Sequence, residues 1–276
     1  MKKISLLLIV LLVVSVLAAG CGKTDSGSSQ GAAPAETSQP EDASPAEEDT
    51  QSVEEKKAGT LVMATEAGFK PYEYYEGQEI VGVDVDIARE IANEMGLELV
   101  VENMEFGSII PAVQSGKADF GAAGISITEE RAKVVDFTIE YATSKQVILT
   151  TADSGIAGEA DLNGKTVGVQ LGTVADLVLD EDYPEVTLQQ YNKYFEAAND
   201  LLAGRINAIV LDSLPAEELA KMDDSLVILD EELFTDVYAF CVRKDNQELL
   251  DAINAVMQRL IDEGKIDAYT AAHSAD

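Results

Sequence analysis

The chain has 276 residues, and its 51 acidic side chains against 19 basic ones give a formal net charge of −32. Binding to nucleic acid or to anionic lipid needs clustered cations, so this balance excludes both as partners and favours cationic or zwitterionic solutes. With two cysteines and one histidine, the chain has no basis for a disulfide framework or a His/Cys metal cluster. We therefore expect neither a metal nor a cofactor.

The N-terminus has the order of a secretory signal. Residues 1–3 are basic, residues 4–16 are apolar and uncharged, and small residues precede Cys21. The apolar run is shorter than the roughly 20 residues of a membrane-spanning helix. The cysteine after Ala-Gly resembles the bacterial lipobox, which implies a signal peptide over residues 1–20 and a lipid on Cys21. A transmembrane anchor with a chance cysteine is the alternative.

Residues 21–58 are rich in Ser, Ala, Pro, Gln and acidic residues, and they contain almost no large apolar side chain. Such a segment cannot bury enough surface to offset the entropy of ordering, so we expect a disordered tether that holds the folded part away from the membrane. An acidic interaction tail is the alternative.

The globular part begins near Gly59 and alternates between strand and helix patterns. Apolar residues at helical spacing predict a helix over residues 84–95, which Gly96 ends. Ser108 is expected to cap a helix through Gln114, and Thr128 starts another helix with acids in its first turn. Strands are predicted over residues 60–65, 97–102 and 118–127.

The alternation then restarts. Strands are predicted over residues 165–170, 206–211 and 237–242, and helices over residues 173–179, 195–203, 215–221 and 247–263. Strands separated by helices of this length form parallel βαβ units, so the fold class is α/β. Two successive runs of such units indicate two lobes.

Signals for catalysis are weak. A Ser-His-Asp set would need His273, which falls in a tail that we expect to be frayed, and there is no H-E-x-x-H motif. The glycine turn from Gly168 to Thr173 lacks both G-x-G-x-x-G and a P-loop lysine. It can instead hold a carboxylate at the start of a helix.

Five segments together resemble the polar amino-acid-binding proteins of ABC importers, bacterial solute-binding family 3. They are residues 65–74, 82–86, 104–106 with 109–112, 124–131 and 167–173. The resemblance implies two Rossmann-like lobes that close like a clamshell, as in type II periplasmic binding proteins. The implied crossover strands lie near residues 145–149 and 237–240. The implied lobes are residues 59–148 plus 239–276, and residues 149–238.

A free amino acid presents a carboxylate and an ammonium on one carbon. Arg131 resembles the family's carboxylate-binding arginine, and a guanidinium offers a planar fork of donors for that group. The resemblance adds donors from Ser126, Thr173 and Val174. It also departs from the family at Val174, where the family has glycine. The alternative for Arg131 is a solvated helix residue.

The ammonium needs acceptors. Asp212 resembles the family's ammonium-binding aspartate, and the Gly124 carbonyl is a second acceptor. Asp212 could also cap the helix that follows it.

The ligand side chain is expected between Phe69 and Phe106, although both aromatic rings could instead be ordinary core. Glu66 matches a position that is Asp in several binders of basic amino acids or glutamine, and Gln170 could hydrogen-bond the far end of the ligand. These residues favour Arg, Lys, ornithine, His or Gln as ligand. A ligand carboxylate beside Glu66 would be costly to bury.

We therefore predict a non-enzymatic, monomeric binding protein on the outer face of a cell membrane, with a periplasmic setting also possible. It would capture a free amino acid and deliver it to an ABC permease and its ATPase, and it would touch the membrane only through the lipid. A ligand-sensing module and a dehydratase-like enzyme on the same fold are the alternatives.

Overall fold

The computed structural model describes residues Gly59 to Ala275. The predicted signal peptide, the lipidation at Cys21 and nearly all of the predicted tether lie outside these residues. Within the described part, no helix combines the length and the apolar character needed to cross a membrane.

The first lobe is built on a five-stranded sheet. Its elements are β1 (Thr60–Thr65), β2 (Tyr74–Glu76), β3 (Glu79–Val81), α1 (Val83–Met95), β4 (Glu98–Asn103), α2 (Phe106–Ser115), β5 (Phe120–Gly121), α3 (Glu129–Ala132) and β6 (Val135–Phe137). β2 and β3 form a separate hairpin, and β1 runs parallel to both β4 and β5.

The second lobe is built on another five-stranded sheet. Its elements are β7 (Ala142–Thr151), β8 (Thr166–Gln170), α4 (Val174–Asp182), β9 (Thr187–Tyr191), α5 (Tyr194–Leu202), β10 (Ala208–Asp212), α6 (Ser213–Ala220) and β11 (Leu226–Tyr238). The strand order is β11-β7-β10-β8-β9, in which β8 is parallel to β9 and β10.

The chain then returns to the first lobe. β12 (Cys241–Arg243) completes the order β4-β1-β5-β12-β6, and α7 (Gln247–Asp262) and α8 (Lys265–Ser274) follow. The α/β class and the two lobes are thus as predicted.

The two passages between the lobes are short. One lies between β6 and β7, and the other between Tyr238 and Cys241. The segment expected to be the first crossover, residues 145–149, lies instead inside β7. Its apolar residues Val147 to Leu149 are buried there, and they pair with β10 and β11.

Most predicted helices are present, and Gly96 ends α1 in the left-handed conformation at φ 66°. The cap at Ser108 is wrong, because α2 starts earlier and its cap position is Glu105. The strand over 118–127 shrinks to β5. Beyond it the chain turns toward the other lobe, and Ser126 bridges to Tyr238.

The expectation of a frayed tail around His273 is also wrong. Residues 265–274 form α8, and the His273 Nε2 atom lies 2.9 Å from the Asp86 carboxylate on α1. The Tyr74 hydroxyl lies 3.1 Å from Nδ1 of the same ring. These contacts hold α8 against the first lobe.

Candidate ligand-binding site

A narrow cavity lies between the lobes. Its walls contain nine of the ten residues that the sequence singles out, all except Arg131, together with two that it does not. The lining residues are Glu66, Phe69, Glu73, Phe106, Ala123, Gly124, Ser126, Gln170, Thr173, Val174 and Asp212. A more open cleft beside α4 contains none of them.

The parallel strands explain why these residues converge. Glu66 directly follows β1, Gln170 ends β8 and Asp212 ends β10, so all three leave the carboxyl ends of strands. In open α/β sheets that edge is where ligands bind. The two sheets turn these edges toward the same cavity.

Arg131 lies beside the cavity and joins the lobes. Its guanidinium donates to the Ser126 carbonyl at 2.6 Å and to the Gly172 carbonyl of the second lobe at 2.9 Å. It also lies over the Phe106 ring, 5.4 Å from the centroid. The side chain is 8% exposed, which contradicts the solvated-residue alternative, and burial lowers its pKa. The Thr128 hydroxyl caps the helix by accepting from the Arg131 N–H.

The start of α4 faces Arg131 across the cleft. Thr173 is the N-cap, and its hydroxyl accepts from the Asp176 N–H at 3.3 Å while it donates to the Gln170 carbonyl at 2.8 Å. A helix start of this kind offers free N–H groups to a carboxylate. Val174, the first helical residue, lines the cavity despite the departure from glycine.

Asp212 is buried in the wall of the cavity. Its Oδ1 accepts from the Gln146 amide at 2.7 Å and from the Tyr238 hydroxyl. It occupies the cap position of α6, but its side chain makes no capping hydrogen bond. Burial and then the charge of Asp236 raise the pKa of Asp212 to about 6.

Two glutamates form the acidic end of the cavity. Glu66 is 2% exposed, accepts from the Gln170 amide at 3.2 Å, and lies 3.5 Å from the Lys193 ammonium. Glu73 is fully buried, and neither of its carboxyl oxygens has a hydrogen-bond partner among the described residues. Burial, followed by the charge of Asp84, raises the pKa of Glu73 well above its usual value.

Glu73 is the main functional candidate that sequence reasoning missed. The available signal was its place in segment 65–74, where it is the one acid besides Glu66. A glutamate two residues after a proline gives no local indication of burial, so this signal is weak.

Phe69 forms an aromatic wall, and Gly124 packs directly against it. The Phe69 ring stacks on Tyr72 at 5.8 Å and on Tyr194 at 6.2 Å, measured between centroids. Gly124 has φ 52°, and a Cβ there would lie 2.8 Å from the Phe69 ring. Its N–H donates to the Asp84 carboxylate at 3.1 Å. Only glycine therefore fits this close turn comfortably.

Among residues 59–275, no group of three or more His, Cys, Asp or Glu side chains could hold a metal ion. The arrangement instead supplies donors at one end of the cavity, near Arg131 and α4. It supplies carboxylates at Asp212 and at the Glu66 end. Such a site can bind a zwitterion with a cationic side chain.

Comparison with known proteins decides the family. Residues 61–274 match the bacterial extracellular solute-binding proteins, family 3. The chain belongs to this family. The match confirms the predicted class, an extracytoplasmic amino-acid-binding protein that carries its solute for transport and is not an enzyme.

Individual family 3 proteins are similar over most of the chain. The arginine-binding extracellular protein ArtP of Bacillus subtilis is 34% identical over 97% of this chain and 96% of its own. A mutant of ArgBP from T. maritima is 37% identical with a TM-score of 0.76, over 79% of this chain and 96% of its own. AbpA of Streptococcus pneumoniae, bound to L-arginine, is 31% identical with a TM-score of 0.75, over 78% of this chain and 94% of its own.

Proposed function

We propose that this protein captures free L-arginine outside the cell and delivers it to an ABC permease and its ATPase. The observation that carries this choice is the pair Glu66 and Glu73. Both carboxylates are buried in the lining of the cavity, and three of their four oxygens have no hydrogen-bond partner among the described residues. One of these three, Glu66 Oε1, lies 3.5 Å from the Lys193 ammonium. A guanidinium offers five N–H donors and a permanent charge, which suits a buried pair of carboxylates that have few hydrogen-bond donors.

The rest of the amino acid fits the remaining groups. The carboxylate binds Arg131 and the start of α4 at Thr173, and the ammonium binds Asp212. Phe69 and Phe106 enclose the aliphatic stem. Lysine, ornithine and histidine follow arginine in preference because they present fewer donors. Glutamine lacks the charge, and glutamate would place a third carboxylate beside two that are already buried.

The ligand draws the lobes together. Contacts across the cleft join Arg131 to Gly172, Glu66 to Gln170, and Lys70 to Glu218 at 3.0 Å. Groups from both lobes bind the same small molecule, so it has higher affinity for the closed state and shifts the population toward it. The closed form then presents the shape that the permease recognises.

The chain acts as a monomer, with Cys21 as its lipidated N-terminus and residues 21–58 as the tether. The position of Cys21 directly after small residues in the sequence supports the lipid, and in this proposal the lipid supplies the membrane attachment. Function as a ligand sensor with another membrane partner remains the second candidate. A permease and an ATPase encoded beside this gene favour the importer.

A thermal-shift panel tests the ligand. L-arginine, L-lysine, L-citrulline, L-glutamine and L-glutamate are added to the protein at equal concentration, and the melting temperature is recorded. We expect the largest rise with arginine, because binding to the native state stabilises it in proportion to RT ln(1 + [L]/Kd). The rise should vanish in Asp212→Asn and persist in Asp153→Asn, which changes an exposed aspartate. A panel without an arginine response overturns the proposal.

A further inference from the structure

The cavity gathers more buried carboxyl groups than the ligand clamp needs. Glu66, Glu73, Asp84 and Asp212 are all nearly inaccessible to solvent. They come from four separate places in the chain: the ends of β1 and β10, the loop before β2, and the first turn of α1. Tertiary folding therefore brings these four carboxyl groups together, and their removal from water costs free energy.

Cations that could balance these carboxyl groups are scarce. Lys193 lies 3.5 Å from Glu66, and its side chain is 37% exposed. Arg131 lies at the other end and is already bound to the Ser126 and Gly172 carbonyls. The largest influences on the pKa of Glu73, burial and the neighbouring carboxyl groups, all raise it.

The buried carboxyl groups differ in how many hydrogen bonds they accept. Asp84 accepts from the Tyr141 hydroxyl at 2.6 Å and from the Gly124 N–H at 3.1 Å. Glu66 accepts from Gln170 and lies near the Lys193 ammonium. Glu73 accepts from no N–H or hydroxyl group among the described residues, and its carboxyl group lies against that of Asp84. An ionised carboxylate buried without a partner is strongly disfavoured, so such a group retains a proton instead.

We propose that the Glu66–Glu73 pair holds a proton in the ligand-free protein and that a cationic amino acid expels it to solvent on binding. Capture of a cation is thereby linked to pH, and pH sets the preference of the cavity between cationic and neutral side chains. This inference rests on the proposed function, since it needs the side-chain cation at the Glu66 end.

The charged groups around Glu66 and Glu73 favour a bound proton in the ligand-free protein and its release when a cation binds. After burial, the charges of Asp84 and Glu66, a hydrogen bond with Asp84 and the charge of Asp212 raise the pKa of Glu73. The charge of Glu105 raises the pKa of Glu66. Gln170 and Lys193 oppose the rise at Glu66 only. A ligand guanidinium would add a positive charge beside both glutamates, which lowers their pKa values and releases the proton. The other ionisable groups lining or backing the cavity are Tyr72, Tyr141, Tyr194, Asp236 and Tyr238.

Calorimetry with two matched ligands tests the proposal. L-arginine and L-citrulline have nearly the same shape and the same α-carboxylate and α-ammonium, but only arginine carries a side-chain charge. Each is titrated into the full-length chain in buffers of different ionisation enthalpy, and the dependence of the heat on the buffer gives the number of protons exchanged. Proton release caused by the α-ammonium at Asp212 is common to both ligands and cancels in the difference.

We expect arginine to release between about half a proton and one proton more than citrulline near neutral pH. The ratio of their dissociation constants should then change by up to about tenfold per pH unit in favour of arginine as pH rises. Glu73→Gln or Glu66→Gln should reduce the excess, whereas Glu76→Gln, an exposed glutamate on β2, should leave it unchanged. Having two variants guards against one that fails to fold.

The outcomes separate the two claims. If both ligands bind and exchange equal numbers of protons, the proton linkage is wrong and the arginine proposal stands. If arginine binds with net proton uptake relative to citrulline, the linkage is likewise wrong. If arginine produces no binding heat at any pH while citrulline binds, the proposed function fails and the linkage fails with it.

Discussion

Replacement of Glu73 by glutamine should change folding and binding in opposite directions. Glu73 is 0% exposed, and neither of its oxygens has a hydrogen-bond partner among the described residues. Its pKa is raised well above the usual 4.5, by burial first and by Asp84 next. A group with a raised pKa contributes stability that is present below pH 4.5 and is lost as pH increases.

The size of the effect follows from that linkage. If Glu73 is protonated in the folded protein at pH 7, folding must protonate a carboxyl group whose usual pKa is 4.5. That protonation costs about 3 kcal/mol. Glutamine has the same shape and does not titrate, so the ligand-free variant should gain up to that amount in free energy of unfolding. Binding should weaken, because loss of one partner of a buried charge pair costs about 2 to 5 kcal/mol, or roughly 30-fold and more in Kd.

Urea denaturation of the ligand-free protein and calorimetric titration with arginine measure the two effects at pH 7. Glu76→Gln is the matched control, since it changes an exposed glutamate three residues away, and it should alter neither quantity. A Glu73→Gln variant that binds arginine as tightly as the wild type would refute the role of this carboxylate. One that is less stable at pH 7 would refute the burial argument.

Three further changes follow from the geometry. Gly124→Ala places a Cβ 2.8 Å from the Phe69 ring at φ 52°, so urea denaturation should show a loss of about 1 to 3 kcal/mol. Arg131→Lys removes the fork that spans the lobes, and calorimetry should show arginine binding at least about tenfold weaker; unchanged affinity would contradict the clamp. Burial raises the pKa of Asp84 from 3.8 to about 6. Wild-type stability should therefore fall by about 3 kcal/mol relative to Asp84→Asn between pH 3.5 and pH 7, as followed by urea midpoints, and parallel pH profiles would exclude the effect.

The sequence predicted those elements whose local signals agree with their tertiary role. α1 has apolar residues at helical spacing and a glycine stop, and the structure has the helix at Val83–Met95 with Gly96 left-handed. β11 was largely missed, because its middle is acidic and its pairing with β7 is interrupted by register shifts between Ile228 and Phe234. α8 was missed because its residues show almost no amphipathic pattern, and its contact through His273 depends on distant partners.

The residues of the candidate site also fall into those that the sequence could identify and those that it could not. Arg131, Asp212 and Glu66 follow recognisable strand ends and turns, so motif resemblance could locate them. Glu73 could not be found in that way, since its importance comes from burial against Asp84 on α1 and from the absence of a partner among the described residues. Whether a buried carboxyl group has a hydrogen-bond or ion-pair partner depends on residues far away in sequence.

A crystal structure of the protein grown with L-arginine tests the central claim most directly. We predict arginine in the cavity between the lobes, with its carboxylate at Arg131 and the start of α4, its ammonium at Asp212, and its guanidinium between Glu66 and Glu73. Arginine bound elsewhere, or bound in this cavity with its guanidinium away from both glutamates, would contradict the account.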